Sequence, residues 1–219
     1  MTEMGCLIRA VVFDMDGVLI DAKDWHYRAL NEALAIFGAQ ISLDEHINRF
    51  DGLPTKVKLR SLSDEGRLPP HLHEIVEAIK QERTLREAAA LCFPRIEHLL
   101  LMAWLKERKI KIGVATNSIR HSSQTMLGFA GILPSLVVLL TNEDVVTAKP
   151  APDIYVKAAS LLDIDPSCIL VIEDHNYGVT SATIAGCNVI KVSGIHDVTV
   201  SLVESWINVE GSGGVLNDE

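Results

Sequence analysis

From residue 96 to residue 192 the chain alternates between two periodicities, and few folds accommodate that alternation. Ile96, Leu99, Leu100 and Ala103 recur at helical spacing, and residues 110–115 follow as a short apolar run of strand length. Residues 118–129 read as helix, 136–140 as strand, and 152–162 as helix with proline in its first turn. Strand 169–172, helix 177–185 and strand 188–192 complete the series. Continuous apolar runs of this kind suit strands covered on both faces, the condition of a parallel sheet. Repeated strand–helix units predict a right-handed, doubly wound α/β fold, a parallel sheet with helices on both sides.

The first strand stands apart from the others in sequence. Residues 8–13 are mostly apolar and end abruptly in Asp14-Met15-Asp16-Gly17. Residues i and i+2 of a strand share a face, so Asp14 and Asp16 leave the sheet on one side, and Gly17 permits a sharp turn. Two carboxylates so close repel unless a cation, a proton or a basic side chain compensates. Between Asp21 and Pro94 there is no β-rich run. Trp25, Ala29, Ala33 and Phe37 give a helical face that Gly38 can stop, and Ser42 to Glu45 has capping-box spacing. Asp51-Gly52-Leu53-Pro54 is a turn, and further helix is expected over 56–62 and 71–90. The chain therefore divides into a core of residues 1–21 and 93–210, an all-helical cap of 22–92 inserted after the first strand, and a Gly-rich flexible tail, 211–219.

Composition narrows the function. A net charge of −9 argues against a nucleic-acid or anionic-membrane binder, so an anionic substrate would need a local positive site. The cysteines Cys6, Cys92, Cys168 and Cys187 form no C-x-x-C pair, which favours reduced thiols over a disulfide framework or a zinc site. Glu3 and Arg9 frame only a short apolar run, and the run 132–140 is broken by Pro134 and Ser135, so neither a signal peptide nor a membrane span is expected. A soluble, cytoplasmic, monomeric protein is the expectation.

Ligands of open α/β sheets sit at the carboxyl ends of the strands, and each strand end here carries a polar signal. Thr116-Asn117-Ser118 offers hydroxyls and free N–H groups for phosphate, or simple helix capping. Lys149 precedes Pro150, which restricts its backbone. Glu173-Asp174 supplies hard oxygen ligands of the type that suits Mg²⁺.

Asp14 to Asp21, read as Asp-Met-Asp-Gly-Val-Leu-Ile-Asp, resembles the first signature of the haloacid dehalogenase-like superfamily, in its branch of small phosphatases and β-phosphoglucomutase. Thr116 or Ser118, Lys149 and Glu173-Asp174 match the later signatures in order, and the resemblance covers about residues 8–195. It implies a Rossmann-like core with a helical cap, Asp14 as a nucleophile that becomes phosphorylated, and Asp16 as general acid and base. It further implies Mg²⁺ held by Asp14, Asp174 and the backbone carbonyl of Asp16, with Glu173 beside them. Lys149 would offset the negative charge, and Thr116, Asn117 and Ser118 would cradle the phosphoryl oxygens. Two departures are His175, where many relatives carry Ser, and Pro94-Arg95, where Pro-Gly is frequent.

The function expected from this resemblance is hydrolysis of a small phosphate monoester, a sugar or polyol phosphate. The principal alternative is a sugar phosphomutase. His26 and Lys80 fall near a His and a Lys of the β-phosphoglucomutase pattern, but Lys80 also suits a solvated helix face, which is the preferred reading. Only Lys56 and Arg120 offer themselves as a second phosphate site, so hydrolysis is favoured. A non-catalytic binding protein on the same fold fits poorly with intact Asp14, Asp16, Lys149 and Asp174. His71, His73 and Glu74 read as structural, and the tryptophans as packing groups.

Overall fold

The computed structural model describes residues 6–211. Five strands, Ala10–Phe13 (β1), Lys111–Ala115 (β2), Val138–Leu140 (β3), Ile169–Glu173 (β4) and Asn188–Lys191 (β5), form one parallel sheet in the order β3-β2-β1-β4-β5. β1 is central, with Val12 opposite Gly113 on one side and Val171 on the other. The two-residue period of a strand sorts the apolar side chains into two cores. Val11, Phe13, Ile112, Val114, Leu170 and Ile172 enter one, while Ala10, Val12, Ala115, Ile169 and Val171 enter the other. This is the doubly wound α/β architecture expected from the alternation, and the Rossmann-like core that the family resemblance implies.

The helices are Lys23–Ala35 (α1), Leu43–Glu45 (α2), Thr55–Asp64 (α3), His73–Leu91 (α4), Ile96–Glu107 (α5), Arg120–Phe129 (α6), Asp153–Leu162 (α7), Asn176–Ile184 (α8) and Val200–Gly211 (α9). Leu101, Met102 and Leu105 of α5 and Met126 and Leu127 of α6 close the first core. Ile154, Tyr155, Ala158 and Leu162 of α7 close the second. Each fully buried aliphatic side chain of this kind contributes about 1.5–3 kcal/mol. Helices α1 to α4 enclose a third core of Leu30, Leu34, Phe50, Leu59, Leu62, Leu68 and Val76. Trp25 at the start of α1 and Ala88 and Cys92 at the end of α4 belong instead to the first core, so the helical insert is rooted in the sheet domain.

Several details differ from the sequence reading. Ser42 caps its helix as expected, its Oγ accepting from Glu45 N at 3.1 Å. That helix is short and widens into a π turn over His46–Phe50, where Asp51 N donates to His46 O at 2.8 Å and Phe50 joins the cap core. Helix α9 was not anticipated, although Val200, Val203 and Ile207 carry helical spacing and pack on the first core. The expected tail lies outside the described residues apart from Gly211, which ends α9.

The expectation of four reduced thiols is corrected. Cys6 and Cys168 are joined in a disulfide, with Cα atoms 5.1 Å apart. β1 pairs with β4 in the register Ala10 to Ile169, which brings the segments entering both strands together despite their separation of 162 residues. Cys92 and Cys187 are free, and burial pushes both thiols up to about 11, which suppresses thiolate reactivity. Among the described residues no single helix is long and apolar enough to cross a membrane.

Candidate active site

β1 delivers Asp14 to the centre of the sheet's carboxyl edge, where its N–H donates to Ile172 O at 2.9 Å. The chain then turns sharply, with the N–H groups of Leu19 and Ile20 both 3.0 Å from Met15 O. Gly17 sits in this turn at φ +88°, and a Cβ there would lie 2.1 Å from Asp174 Oδ2. Glycine is thus required both by conformation and by the close approach of the acidic loop after β4.

Asp14 and Asp16 lie in opposite electrostatic settings. Asp14 Oδ1 accepts from Lys149 Nζ at 2.7 Å. The same ammonium donates to Ala115 O at 2.7 Å and to Glu173 Oε1 at 2.5 Å, which occupies all three of its protons. Tyr155 OH donates to Glu173 Oε1 at 2.6 Å, so a buried network fixes Lys149. The Lys149–Pro150 peptide is cis. Oxygens of Asp14, Glu173 and Asp174 lie within 4.8 Å of one another. Burial and the neighbouring Glu173 raise the Asp14 carboxyl well above its usual range, against the opposing pull of Lys149. Burial also raises Asp174, although Lys23 Nζ is 2.5 Å from its Oδ2.

Asp16 Oδ2 accepts from Ser118 Oγ at 2.7 Å, and His26 Nε2 is 3.1 Å from Oδ1. His26 Nδ1 is in turn 3.2 Å from Lys80 Nζ. Burial disfavours the charged form of Asp16, but His26, Ser118 and Lys80 together outweigh it and hold the carboxyl below its usual range.

A cleft of about 560 Å³ between the sheet edge and the cap contains these groups together with Thr116, Asn117 and Lys56. Thr116 Oγ1 accepts from Ser118 N at 3.0 Å, which shapes the loop after β2. Asn117 Nδ2 donates to Gly52 O at 2.9 Å and so ties the core to the cap turn. Two expectations are corrected. Lys80 is not on a solvated face but is 6% exposed, because that side of α4 packs against α1 and the cleft. Arg120 does not reach the cleft; its guanidinium pairs with Asp144 and approaches Leu139 O.

Other residues of the site were not read from the sequence. Tyr155 is one, because nothing in its helical register distinguishes a hydroxyl aimed at Glu173 from a core aromatic. Lys58 had a usable signal, since it lies four residues before buried Leu62 on the apolar side of α3. His175 replaces the frequent Ser by accepting Tyr177 N at its Nδ1, 3.2 Å away, and it abuts Gly52 of the cap.

The Glu173 network leads to a stability prediction. A Cβ at position 178 would fall 1.8 Å from Glu173 Oε1. Gly178→Ala is expected to displace that carboxylate from Lys149 and Tyr155 and to lower stability by about 3 kcal/mol. Urea denaturation measures this, and an unchanged midpoint would contradict the tight placement of Glu173.

A doubly wound sheet with an inserted helical cap, and two aspartates, a serine, a lysine and an acidic pair converging at its carboxyl edge, define a class of hydrolytic enzyme. Residues 11–192 match the haloacid dehalogenase-like hydrolase family, and the chain belongs to it, in the branch of small phosphatases and β-phosphoglucomutase. Among its relatives, fructose-1-phosphate phosphatase YqaB of Escherichia coli strain K12 is 25% identical over 83% of this chain and 95% of that protein. The β-phosphoglucomutase of Bacillus subtilis strain 168 is 29% identical over 82% of this chain and 80% of its own. The crystal structure of CbbY from Rhodobacter sphaeroides in complex with phosphate superposes with a TM-score of 0.76 at 26% identity, covering 86% of this chain and 88% of that one.

Proposed function

We propose that the protein is a Mg²⁺-dependent phosphatase that hydrolyses a small phosphate monoester, a sugar or polyol phosphate, through an aspartyl-phosphate on Asp14. The observation that carries this reading is the division of environments just described. One aspartate is clamped by a buried lysine within a carboxylate cluster, and the other, two residues on, accepts from a serine and faces a histidine 3.1 Å away. Two carboxyl groups so differently surrounded suit two chemical roles.

The donor set fits a hard divalent cation, because three carboxylates crowded within 4.8 Å outnumber the two ammonium groups, Lys149 and the half-exposed Lys23, that touch them. Asp14 and Asp174, with the backbone carbonyl of Asp16, would hold it, while Glu173 is already committed to Lys149 and Tyr155. Bound Mg²⁺ would neutralise charge on the phosphoryl oxygens and favour the ionised form of Asp14.

Asp14 attacks phosphorus and the bond to the leaving alkoxide breaks, with Asp16 giving that oxygen its proton. Asp16 then removes a proton from the water that attacks the aspartyl-phosphate, and inorganic phosphate leaves. The ionised state in which Asp16 is held suits this second half. For the first half, His26 Nε2 would pass a proton to Asp16 as Lys80 Nζ gives one to His26 Nδ1, so that the imidazole stays neutral, the form that burial and Lys80 favour. Lys149 balances the charge gathered at phosphorus, and Ser118 and the loop after β2 line the phosphoryl position. Relatives named as sugar phosphatases support the substrate class.

Asp16→Asn is expected to lower turnover roughly 10²–10⁴-fold, the usual worth of a positioned acid and base. Intact-mass measurement should find phosphorylated protein accumulating in that variant, and an unchanged steady-state rate would overturn the division of roles. One observation favours a mutase as the second reading: Lys80 is buried beside His26 rather than solvated. Phosphorus NMR of β-glucose 1-phosphate separates the two, since clean conversion to glucose 6-phosphate without phosphate release would replace the hydrolase.

A further inference from the structure

Lys58 is 7% exposed, lines the cleft, and has no hydrogen-bond or ion-pair partner among the described residues. Lys80, 6% exposed, faces the same region from α4. The two ammonium groups repel, and burial followed by that repulsion pushes Lys58 down to about 8. Burial pushes Lys80 to a similar value. The other titratable groups here are His26, His46, Lys56, Asp16, Asp51 and Glu77. Asp51 and Asp16 attract Lys58 from a distance, less than burial and Lys80 oppose its charge, but none of these carboxylates forms an ion pair with it. Asp16 is engaged by Ser118 and His26, and Asp51 Oδ1 accepts from Gly52 N at 3.0 Å. Glu77 is raised by burial, with Lys56 the chief opposing charge.

A buried cation without a counter-charge is unfavourable unless something supplies one. In a protein of net charge −9, an unpaired lysine inside the substrate cleft is a local positive site of the kind an anionic group requires. Lys149 and the carboxylate cluster are separate from it, because Lys149 already has three acceptors.

We propose that Lys58, flanked by Lys80, binds a second anionic group, a carboxylate or a phosphate, at the end of the substrate away from the reacting phosphoryl. The preferred substrates are then phosphate monoesters that carry a second anionic group, rather than sugar or polyol phosphates whose far end is uncharged. This rests on the phosphatase reading for the placement of the first phosphoryl at Asp14.

The test is calorimetric binding to Asp14→Asn protein, which is not expected to turn its ligand over, at fixed ionic strength. The probes are sorbitol 6-phosphate, 6-phosphogluconate and sorbitol 1,6-bisphosphate, which share a six-carbon chain and differ at the far end in hydroxyl, carboxylate and phosphate. At least one of the two probes with a second anionic group should bind about tenfold more tightly than sorbitol 6-phosphate, as one charge-assisted contact provides. The tighter of the two identifies carboxylate or phosphate as the preferred group. Adding Lys58→Met should bring the ratio to about twofold or less, and Lys58→Arg should restore part of it, with thermal melting checking the fold of both. Equal affinities for all three probes, or a preference that survives Lys58→Met, would overturn the inference. If Lys58→Met does not fold, the comparison of probes and the Lys58→Arg variant still decide it. Failure of the phosphatase reading would look different: the unsubstituted enzyme would release no phosphate from any probe, whatever their binding order.

Discussion

Asp14→Asn is expected to abolish phosphate release, by roughly 10⁴-fold or more, without loss of the folded state. The amide cannot attack phosphorus, so no covalent intermediate forms, and Asp16 has no acyl-phosphate to hydrolyse. The structural consequence should run the other way. Asp14 is buried among Glu173, Asp174 and Asp16, with Lys149 as its direct counter-charge. Asn can still accept from Lys149 while removing one of the crowded charges. Without metal, the variant should melt at the same temperature as the parent or higher. A pH series sharpens the test. Because the folded-state carboxyl is raised, Asp14 keeps its proton in the folded protein where the unfolded chain has released it. Its contribution to stability is therefore full below the ordinary carboxylate range and is lost as pH rises through the raised value. The Asn variant should lack that part of the pH dependence. Substantial residual phosphatase activity in Asp14→Asn would sink the covalent mechanism.

Removal of metal is expected to have an effect on activity of the same order. With chelator present, turnover should fall to background, and Ca²⁺ should restore little of it, because its longer and looser coordination misplaces the attacking carboxylate. Binding can be read without turnover. At 100 times its dissociation constant, Mg²⁺ should stabilise the fold by about 2.7 kcal/mol, which for a chain of this size is roughly 5–10 °C in melting temperature. Asp174→Asn should remove most of that shift, whereas substitution of a surface carboxylate such as Glu82 should not. The Lys23 ammonium beside Asp174 Oδ2 is 39% exposed and can move aside at little cost. Equal rates with and without chelator, or a melting temperature indifferent to Mg²⁺, would contradict the role given to Asp14 and Asp174.

Strand ends of a parallel sheet share one edge, so a sequence that shows where each strand stops also shows which polar residues converge. Asp14, Thr116, Lys149 and Glu173 are far apart in the chain, yet the ends of Ile8-to-Phe13 and of the later apolar runs predict their meeting. The family and the Rossmann-like fold were legible for the same reason: period, strand length and four ordered motifs all point one way. What lies between elements was decided only by tertiary packing. Helical spacing identifies the face of α4 that carries Lys80 but not whether solvent or α1 covers it, and the structure buries the lysine against His26. Arg120 opens a helix beside the phosphate loop in sequence, yet its guanidinium pairs with Asp144, reached across the fold. Cys6 and Cys168 become neighbours only because β4 crosses back to pair with β1. Lys58 is the sharpest case. The sequence places a charge on an apolar helical face, but only the fold reveals that no carboxylate among the described residues pairs with it, because the pairing of a buried charge depends on groups from other elements that local sequence does not specify.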